Sequence, residues 1–199
     1  MQFIGLFPVP LLKFRFSKHE EYQFDDIQKI TNKPEGWIVD VNSSFPDISD
    51  SDQIIPPFFR DKLKKEILSE ISNLFGELNM PNNINYECFW YNIYHENQGQ
   101  ERHCHLSHID YLFPYWSGIY YNKNATPTTF HRPDCGYKTQ VFKGHEKSRI
   151  KEAYYSYQKV DVVDGDILLF PPYLDHEVTK KKDNNTRITF SFNIKLNHA

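Results

Sequence analysis

Cysteine and long apolar runs are scarce in this sequence, and neither sign of charge dominates. The three cysteines, Cys88, Cys104 and Cys135, form no CxxC pair, which excludes a disulfide framework and predicts reduced thiols in a cytoplasmic protein. No stretch approaches the roughly 18 apolar residues of a membrane span. The 23 Lys and Arg residues are offset by 26 Asp and Glu residues, so we expect no nucleic-acid partner and no membrane partner.

The length and the absence of internal repeats or linkers predict a single domain over residues 1–199. The apolar opening, residues 1–16, contains Pro8 and Pro10 and lacks a basic leader, so it predicts a first strand and not a signal peptide. Residues 17–30 predict a short helix. Residues 60–78 predict an amphipathic helix that packs on the outside of a sheet through a stripe of apolar residues: Leu63, Ile67, Ile71, Leu74 and Leu78.

From residue 85 onward, short aromatic and β-branched runs alternate with turns. This pattern is typical of a jelly-roll barrel, so the expected fold is mainly β with one or two N-terminal helices. The polar segment from Asn122 to Tyr154 interrupts the pattern. It predicts a lid, a disordered surface loop or a contact between copies of the chain, and the oligomeric state stays open.

The end of the chain combines a histidine with an arginine on neighbouring strand-like segments. Residues 166–170 and 187–193 have strand composition, with His176 after the first and Arg187 opening the second. Imidazole is the commonest protein ligand for transition metals, and guanidinium is shaped to hold a carboxylate. If the two strands pair, Arg187 shares a cavity with His176. Alternation along the second strand gives a polar face of Arg187, Thr189, Ser191 and Asn193.

A second group of possible ligands lies in the segment RHCHLSHID, Arg102 to Asp110. His103 and His105 project to one side of a strand and can chelate one ion together. One predicted metal site is His103, His105 and His176, with Asp110 as a further ligand or an outer hydrogen-bond acceptor. The other is His108, Asp110 and His176, which has the composition of the 2-His-1-carboxylate triad of non-haem Fe(II) oxygenases.

Two families share these motifs. The spacing from Gly165 to His176 and the HxH pair resemble the metal motifs of cupins, although Tyr173 replaces their usual glycine. The sequence more closely resembles the small 2-oxoglutarate/Fe(II)-dependent dioxygenases related to prolyl hydroxylases, a branch common in bacteria and their phages. The resemblance rests on five segments in the family's order: LFPVP, WYNIYHENQGQERHCH, WSGIYYN, GDILLFPPYLDHEV and RITFSFN.

The dioxygenase resemblance implies a double-stranded β-helix that binds Fe(II) and 2-oxoglutarate. Arg187 and Thr189 match the family's pair for the distal carboxylate of 2-oxoglutarate, and Tyr120 or Tyr121 falls where a tyrosine assists it. Asn193 and Tyr94 are further pocket candidates. The implied reaction uses O2, releases succinate and CO2, and hydroxylates an unidentified primary substrate. A phage-encoded enzyme would act in the host cytoplasm. The alternatives are a cupin-like metalloprotein and a non-catalytic jelly-roll binding module.

Overall fold

The computed structural model describes residues 9–24, 41–45, 57–106, 114–133, 157–180 and 182–197. Within these residues there are ten β-strands, one α-helix and a 3-10 turn at His19–Glu21. Helix α1 spans Pro57–Glu77. The strands are β1 (Leu12–Arg15), β2 (Asn42–Ser43), β3 (Ile84–Tyr94), β4 (Gln100–His103), β5 (Trp116–Lys123), β6 (Thr128–His131), β7 (Tyr157–Val160), β8 (Asp166–Phe170), β9 (His176–Val178) and β10 (Arg187–Leu196).

The strands form two antiparallel sheets. One has the order β1-β8-β5-β10-β3-β2 and the other the order β4-β9-β6-β7. From β3 onward the chain passes repeatedly from one sheet to the other, so that strands distant in sequence become neighbours. This arrangement is a double-stranded β-helix, or jelly roll, which confirms the fold predicted from the sequence.

Strand β10 lies at the centre of the larger sheet and has two chemically different faces. It pairs with β3 in a register that sets Arg187 opposite Tyr94 and Asn193 opposite Cys88. Its apolar residues Ile188, Phe190 and Phe192 belong to the core on the helix side of the sheet. Because side chains alternate along a strand, the polar residues of β10 face the space between the two sheets.

Helix α1 covers the outer face of the larger sheet, as its apolar stripe predicts. Leu63, Ile67, Ile71 and Phe75 are fully buried in the core shared with β3, β5 and β10. The predicted apolar stripe was wrong in its last two residues: Leu74 is only partly buried, and Leu78 is 47% exposed just beyond the helix. A constant spacing of four residues continues the stripe from Ile71 to Phe75, so Phe75 and not Leu74 makes the final buried contact.

The predicted helix over residues 17–30 is not formed in the described part of that segment, which contains only the 3-10 turn. Tyr22 is fully buried, and its hydroxyl donates to Glu66 of α1 at 2.6 Å. The carbonyl of Tyr22 accepts a hydrogen bond from the Asn122 side chain. A tertiary contact thus satisfies the Tyr22 carbonyl, a group that a helix would have used in its own hydrogen-bond ladder. Residues 25–30 lie outside the described part.

The two strands that carry the C-terminal motif are not neighbours, contrary to the expected pairing. Strand β5 lies between β8 and β10. Pro171 and Pro172 follow β8 directly, and proline does not donate to a strand ladder. The chain then crosses to the smaller sheet, where β9 begins at His176. His176 and Arg187 therefore approach the interior from opposite sheets.

The polar segment from Asn122 to Tyr154 contains a strand that the sequence analysis missed. Strand β6, Thr128–His131, pairs with β7 and β9, and Phe130 is buried between the sheets. Residues 134–154 of this segment, including Cys135, lie outside the described part, so the predicted lid stays a prediction. In the described residues, no helix combines the length and apolar character needed to cross a membrane.

Candidate functional site

Three histidines lie close together where strands β4 and β9 of the smaller sheet pair. His103 ends β4 and His176 begins β9, and the two residues face each other in register. His105 follows just beyond β4, where its backbone N–H donates to the Pro172 carbonyl at 2.9 Å. The possible ligand atoms of the three side chains lie within 4.8 Å of one another, so the cluster could hold one metal ion.

Hydrogen bonds orient all three imidazoles in the same way. Nδ1 of His103 lies 2.7 Å from the Glu101 carbonyl, and Nδ1 of His176 lies 3.0 Å from the Leu174 carbonyl. Because a carbonyl can only accept, both Nδ1 atoms must donate. Nδ1 of His105 lies 2.8 Å from both the Ser117 hydroxyl and the Asn193 side-chain oxygen. Each ring therefore keeps an unprotonated Nε2, which is the atom a metal requires.

Burial also keeps these histidines neutral. Desolvation is the main cause that lowers the pKa of each ring. For His105, burial and the neighbouring His103 lower the pKa to about 3. The pKa of His176 is well below its usual range because burial is reinforced by repulsion from the other two rings. Neutral imidazoles are competent ligands at physiological pH without first losing a proton.

Arg187 is a buried cation with unsatisfied donors. Its side chain is 1% exposed, and Nε and Nη2 have no hydrogen-bond partner in the described structure. The guanidinium lies 5.1 Å from the ring centre of Tyr94 and 5.7 Å from that of Tyr121. Desolvation lowers the pKa of Arg187, although both tyrosines oppose the shift. An unpaired buried guanidinium is costly, and a carboxylate would satisfy it with two parallel hydrogen bonds.

Thr189 and Tyr121 lie beside Arg187, as the sequence predicts. Thr189 is 2% exposed, stands opposite Tyr121 across β10 and β5, and shares a hydrogen bond with the Tyr94 hydroxyl. The Tyr121 hydroxyl lies 2.7 Å from the Thr128 hydroxyl. Burial raises the pKa of Tyr121 and raises that of Tyr94 to about 12, so both phenols stay protonated. The Tyr94 hydroxyl donates to the Gln100 side-chain oxygen at 3.1 Å, whereas the Tyr121 hydroxyl can donate to an anion.

Tyr120 is not brought to this site. It faces the helix side of the larger sheet, where its hydroxyl lies 2.7 Å from Nδ1 of His19 and accepts from Asn122. Successive residues of a strand point to opposite faces, so only one of the two tyrosines can face Arg187. The sequence did not distinguish them because each face of β5 carries a tyrosine together with apolar and polar residues.

Asn193 occupies a different place from the predicted contact with 2-oxoglutarate. It lies on the inner face of β10 at the end remote from Arg187, where its side-chain oxygen contacts His105 and also accepts from Ser117 at 2.8 Å. Ser117 is fully buried and was missed by the sequence analysis. A strand serine carries no motif of its own, and only the approach of β4 to β5 reveals its role.

A cavity of about 470 Å³ opens beside the histidines. His103 and His105 form part of its wall, together with aromatic and acidic side chains that include Phe45, Trp90, Glu87 and Glu101. This volume lies in the range of small-molecule pockets. His108 and Asp110 lie outside the described residues, so the predicted metal set that contains both stays a prediction.

Comparisons with known proteins identify relatives of this fold. The family model described as 2OG-Fe(II) oxygenase matches residues 88–193, just over half of the chain. A comparison with curated protein sequences finds no match. The structure of HygX from Streptomyces hygroscopicus, with nickel and 2-oxoglutarate bound, superposes with a TM-score of 0.55 at 14% identity, covering 94% of this chain and 83% of HygX.

Two further solved structures are similar. The non-heme alpha ketoglutarate dependent epimerase SnoN from nogalamycin biosynthesis superposes with a TM-score of 0.50 at 10% identity, covering 85% of this chain and 66% of SnoN. A Pseudomonas putida prolyl-4-hydroxylase superposes with a TM-score of 0.49 at 12% identity, covering 83% of this chain and 78% of the hydroxylase. The HygX and SnoN superpositions support the double-stranded β-helix.

The matched region contains the three clustered histidines and the segment from Arg187 to Asn193. These residues suit the family's cofactors, since neutral imidazoles can bind a metal ion and the unpaired guanidinium can donate two hydrogen bonds to a carboxylate. The chain therefore belongs to the 2OG-Fe(II) oxygenase family and is an Fe(II)- and 2-oxoglutarate-dependent oxygenase.

Proposed function

We propose that this enzyme hydroxylates a C–H bond of a small primary substrate, with Fe(II) held by His103, His105 and His176. The observation that carries the assignment is the common orientation of the three rings, each with Nδ1 bonded and Nε2 left for a metal. When bound, Fe(II) and 2-oxoglutarate supply the oxidising chemistry: 2-oxoglutarate and O2 become succinate and CO2, and one oxygen atom enters the substrate.

We propose that Arg187 holds the distal carboxylate of 2-oxoglutarate, with Thr189 and Tyr121 as neighbours. The buried Nε and Nη2 without partners support this role. The rigid guanidinium fork orients the cosubstrate, and the surrounding aromatic rings exclude water. Asp110 stays a predicted further ligand or acceptor, and the set of His108, Asp110 and His176 stays the alternative.

The proposed role of Arg187 can be tested by anaerobic titration of the metal-free protein with Fe(II) and then with 2-oxoglutarate. The titration records the weak visible charge-transfer band of a chelated keto acid. We expect the band with the natural chain and its loss or at least a tenfold higher half-saturation concentration with Arg187→Met, which removes the charge but keeps a long side chain. Lys195→Met is the matched control, because Lys195 is an exposed cation on the same strand.

The same titration separates the metal sets. His105→Ala should abolish metal binding if the three clustered histidines are the ligands, whereas Asp110→Asn should do so if the alternative set is correct. Metal binding without a band would favour the cupin-like alternative. No metal binding by the natural chain would favour a non-catalytic jelly-roll module.

We further propose that the chain is one catalytic domain that works in the cytoplasm, of the host if the gene belongs to a phage. The cysteine content, three residues with no CxxC pair, supports this location, because reduced thiols persist in that compartment. The even mixture of acidic and basic residues supports a small-molecule substrate rather than nucleic acid.

A further inference from the structure

We infer that the cavity beside the histidines receives the protonated amine of a cationic primary substrate, an inference that rests on the proposed hydroxylase function. The cavity shares His103 and His105 with the proposed metal site. A ligand in it would therefore lie directly beside the reacting centre. The chemistry of the remaining wall decides which ligands it accepts.

The charged side chains of the cavity wall are acidic. Glu87 and Glu101 both line the cavity, and in the described part of the chain no lysine or arginine does. Glu101 precedes His103 by two residues on β4, and both side chains line the cavity. Glu87 is exposed and Glu101 is half-buried. Two carboxylates in the wall of one cavity attract a cation and repel an anion.

The aromatic part of the wall suits the same ligand. The rings of Phe45 and Trp90 lie 5.1 Å apart, and the Trp90 ring lies 5.6 Å from that of His105. Trp90 is only 6% exposed, so its contacts are largely shielded from water. Tryptophan offers the best face for an ammonium group, and the interaction strengthens when the cation is desolvated. An amine attached to an apolar body would therefore satisfy both parts of the wall.

Charge separates this cavity from the proposed 2-oxoglutarate site. Arg187, opposite Tyr94, lies at one end of the paired strands β3 and β10, and Cys88, opposite Asn193, lies six residues further along the pair, in the cavity wall. The dianionic cosubstrate is drawn to the cationic end. The acidic cavity disfavours its binding there, so the two ligands approach the histidines from different directions.

Three probes of nearly equal shape test the inference: phenethylammonium, neutral 3-phenylpropanamide and 3-phenylpropionate. Calorimetric titration of the full chain, loaded with Ni(II) and 2-oxoglutarate and also without either, should show at least tenfold tighter binding of the ammonium than of the carboxylate, with the amide between them. Glu101→Gln should reduce this preference at least threefold, and Glu87→Gln should act in the same direction. Glu77→Gln, on the exposed end of α1, is the matched control and should leave it unchanged.

Thermal unfolding of each variant establishes that it is folded. Equal binding of all three probes, or tighter binding of the carboxylate, would overturn the inference even if the charge-transfer band forms. An ammonium preference that depends on Glu101 while no band forms would support a cation site and count against the proposed hydroxylase instead. A preference that Glu101→Gln and Glu87→Gln both leave intact would place the cation elsewhere and reject this cavity.

Discussion

At the scale of single residues, the tautomer of His105 depends on two buried neighbours. Asn193 and Ser117 accept from Nδ1, and this leaves Nε2 directed at the other histidines. Hydrogen-bond partners of metal ligands commonly contribute a factor of about 10–100 to metal affinity. Asn193 is therefore a positioning residue that acts through His105.

We expect Asn193→Ala to weaken Ni(II) or Co(II) binding by roughly tenfold to a hundredfold, because the His105 ring loses its main acceptor. Calorimetric titration of the metal-free protein measures this change. Asn197→Ala is a suitable control, since Asn197 is exposed just after the same strand. An unchanged metal affinity in Asn193→Ala would show that Ser117 alone orients the ring.

The sequence predicted which residues of β10 share a face, but it did not predict their contacts. Arg187 and Thr189 lie where strand alternation predicts. The predicted position of Tyr120 beside the cosubstrate was wrong, because strand alternation alone does not tell which face of a strand is the inner one. The partner of Asn193 could not be predicted either, since His105 lies far from it in sequence and meets it only when β4 folds over β5 and β10.

At the scale of elements, an ion pair joins the strands that carry the proposed ligands. Arg102 precedes His103, and Asp175 precedes His176. Nε and Nη2 of Arg102 donate to one Asp175 carboxylate oxygen at 2.8 and 2.6 Å. Because β4 and β9 pair in register at the two histidines, this contact holds the strands together on the side away from the metal.

We expect Asp175→Asn to weaken metal binding a few-fold and to lower the free energy of unfolding by at most about 1 kcal/mol, because exposed ion pairs contribute little to stability. The double variant R102D with D175R should recover part of the metal affinity, and a double-mutant cycle gives the coupling. Glu21→Gln removes a comparable exposed pair with Lys62, far from the histidines, and should not change metal binding. Equal metal affinity in all these variants would contradict the role of the ion pair.

Element prediction succeeded where a pattern was long and failed where tertiary contacts replaced local ones. Helix α1 repeats its apolar spacing over several turns, so its position is determined locally. Residues 17–30 also contain spaced apolar residues, but in the described part of this segment the Tyr22 hydroxyl donates to Glu66 and the Tyr22 carbonyl accepts from Asn122. Strand β6 was missed because four residues in a polar segment carry too little pattern.

At the scale of the whole molecule, the histidine cluster links stability to pH. The pKa values of His103, His105 and His176 are lowered in the folded protein, chiefly by burial, relative to about 6.5 in an unfolded chain. Protonation therefore favours the unfolded state. The stability that the neutral histidines contribute is fully present above about pH 6.5, the pKa in the unfolded chain. It is lost as the pH falls from there to the lowered pKa values of the folded protein.

We expect the free energy of unfolding of the metal-free protein to fall as the pH drops from 6.5 to 4.5, by up to about 1.4 kcal/mol per pH unit for each buried neutral histidine. Urea unfolding at several pH values measures the slope. His105→Gln should reduce that slope. A free energy that is constant over this range would show that the rings are protonated without loss of the fold.

The sequence by itself determined the class of the protein: local residue types and their spacing define the longer strands, helix α1, the HxH pair and Arg187, which matches the family's motif. Only the tertiary structure decided how these parts meet. It separated β8 from β10, faced His176 toward His103 from another strand, turned Tyr120 away and joined Asn193 to His105. The physical reason is that periodicity and composition are local properties, whereas a jelly roll forms its site from strands distant in sequence, whose register is fixed by packing across two sheets.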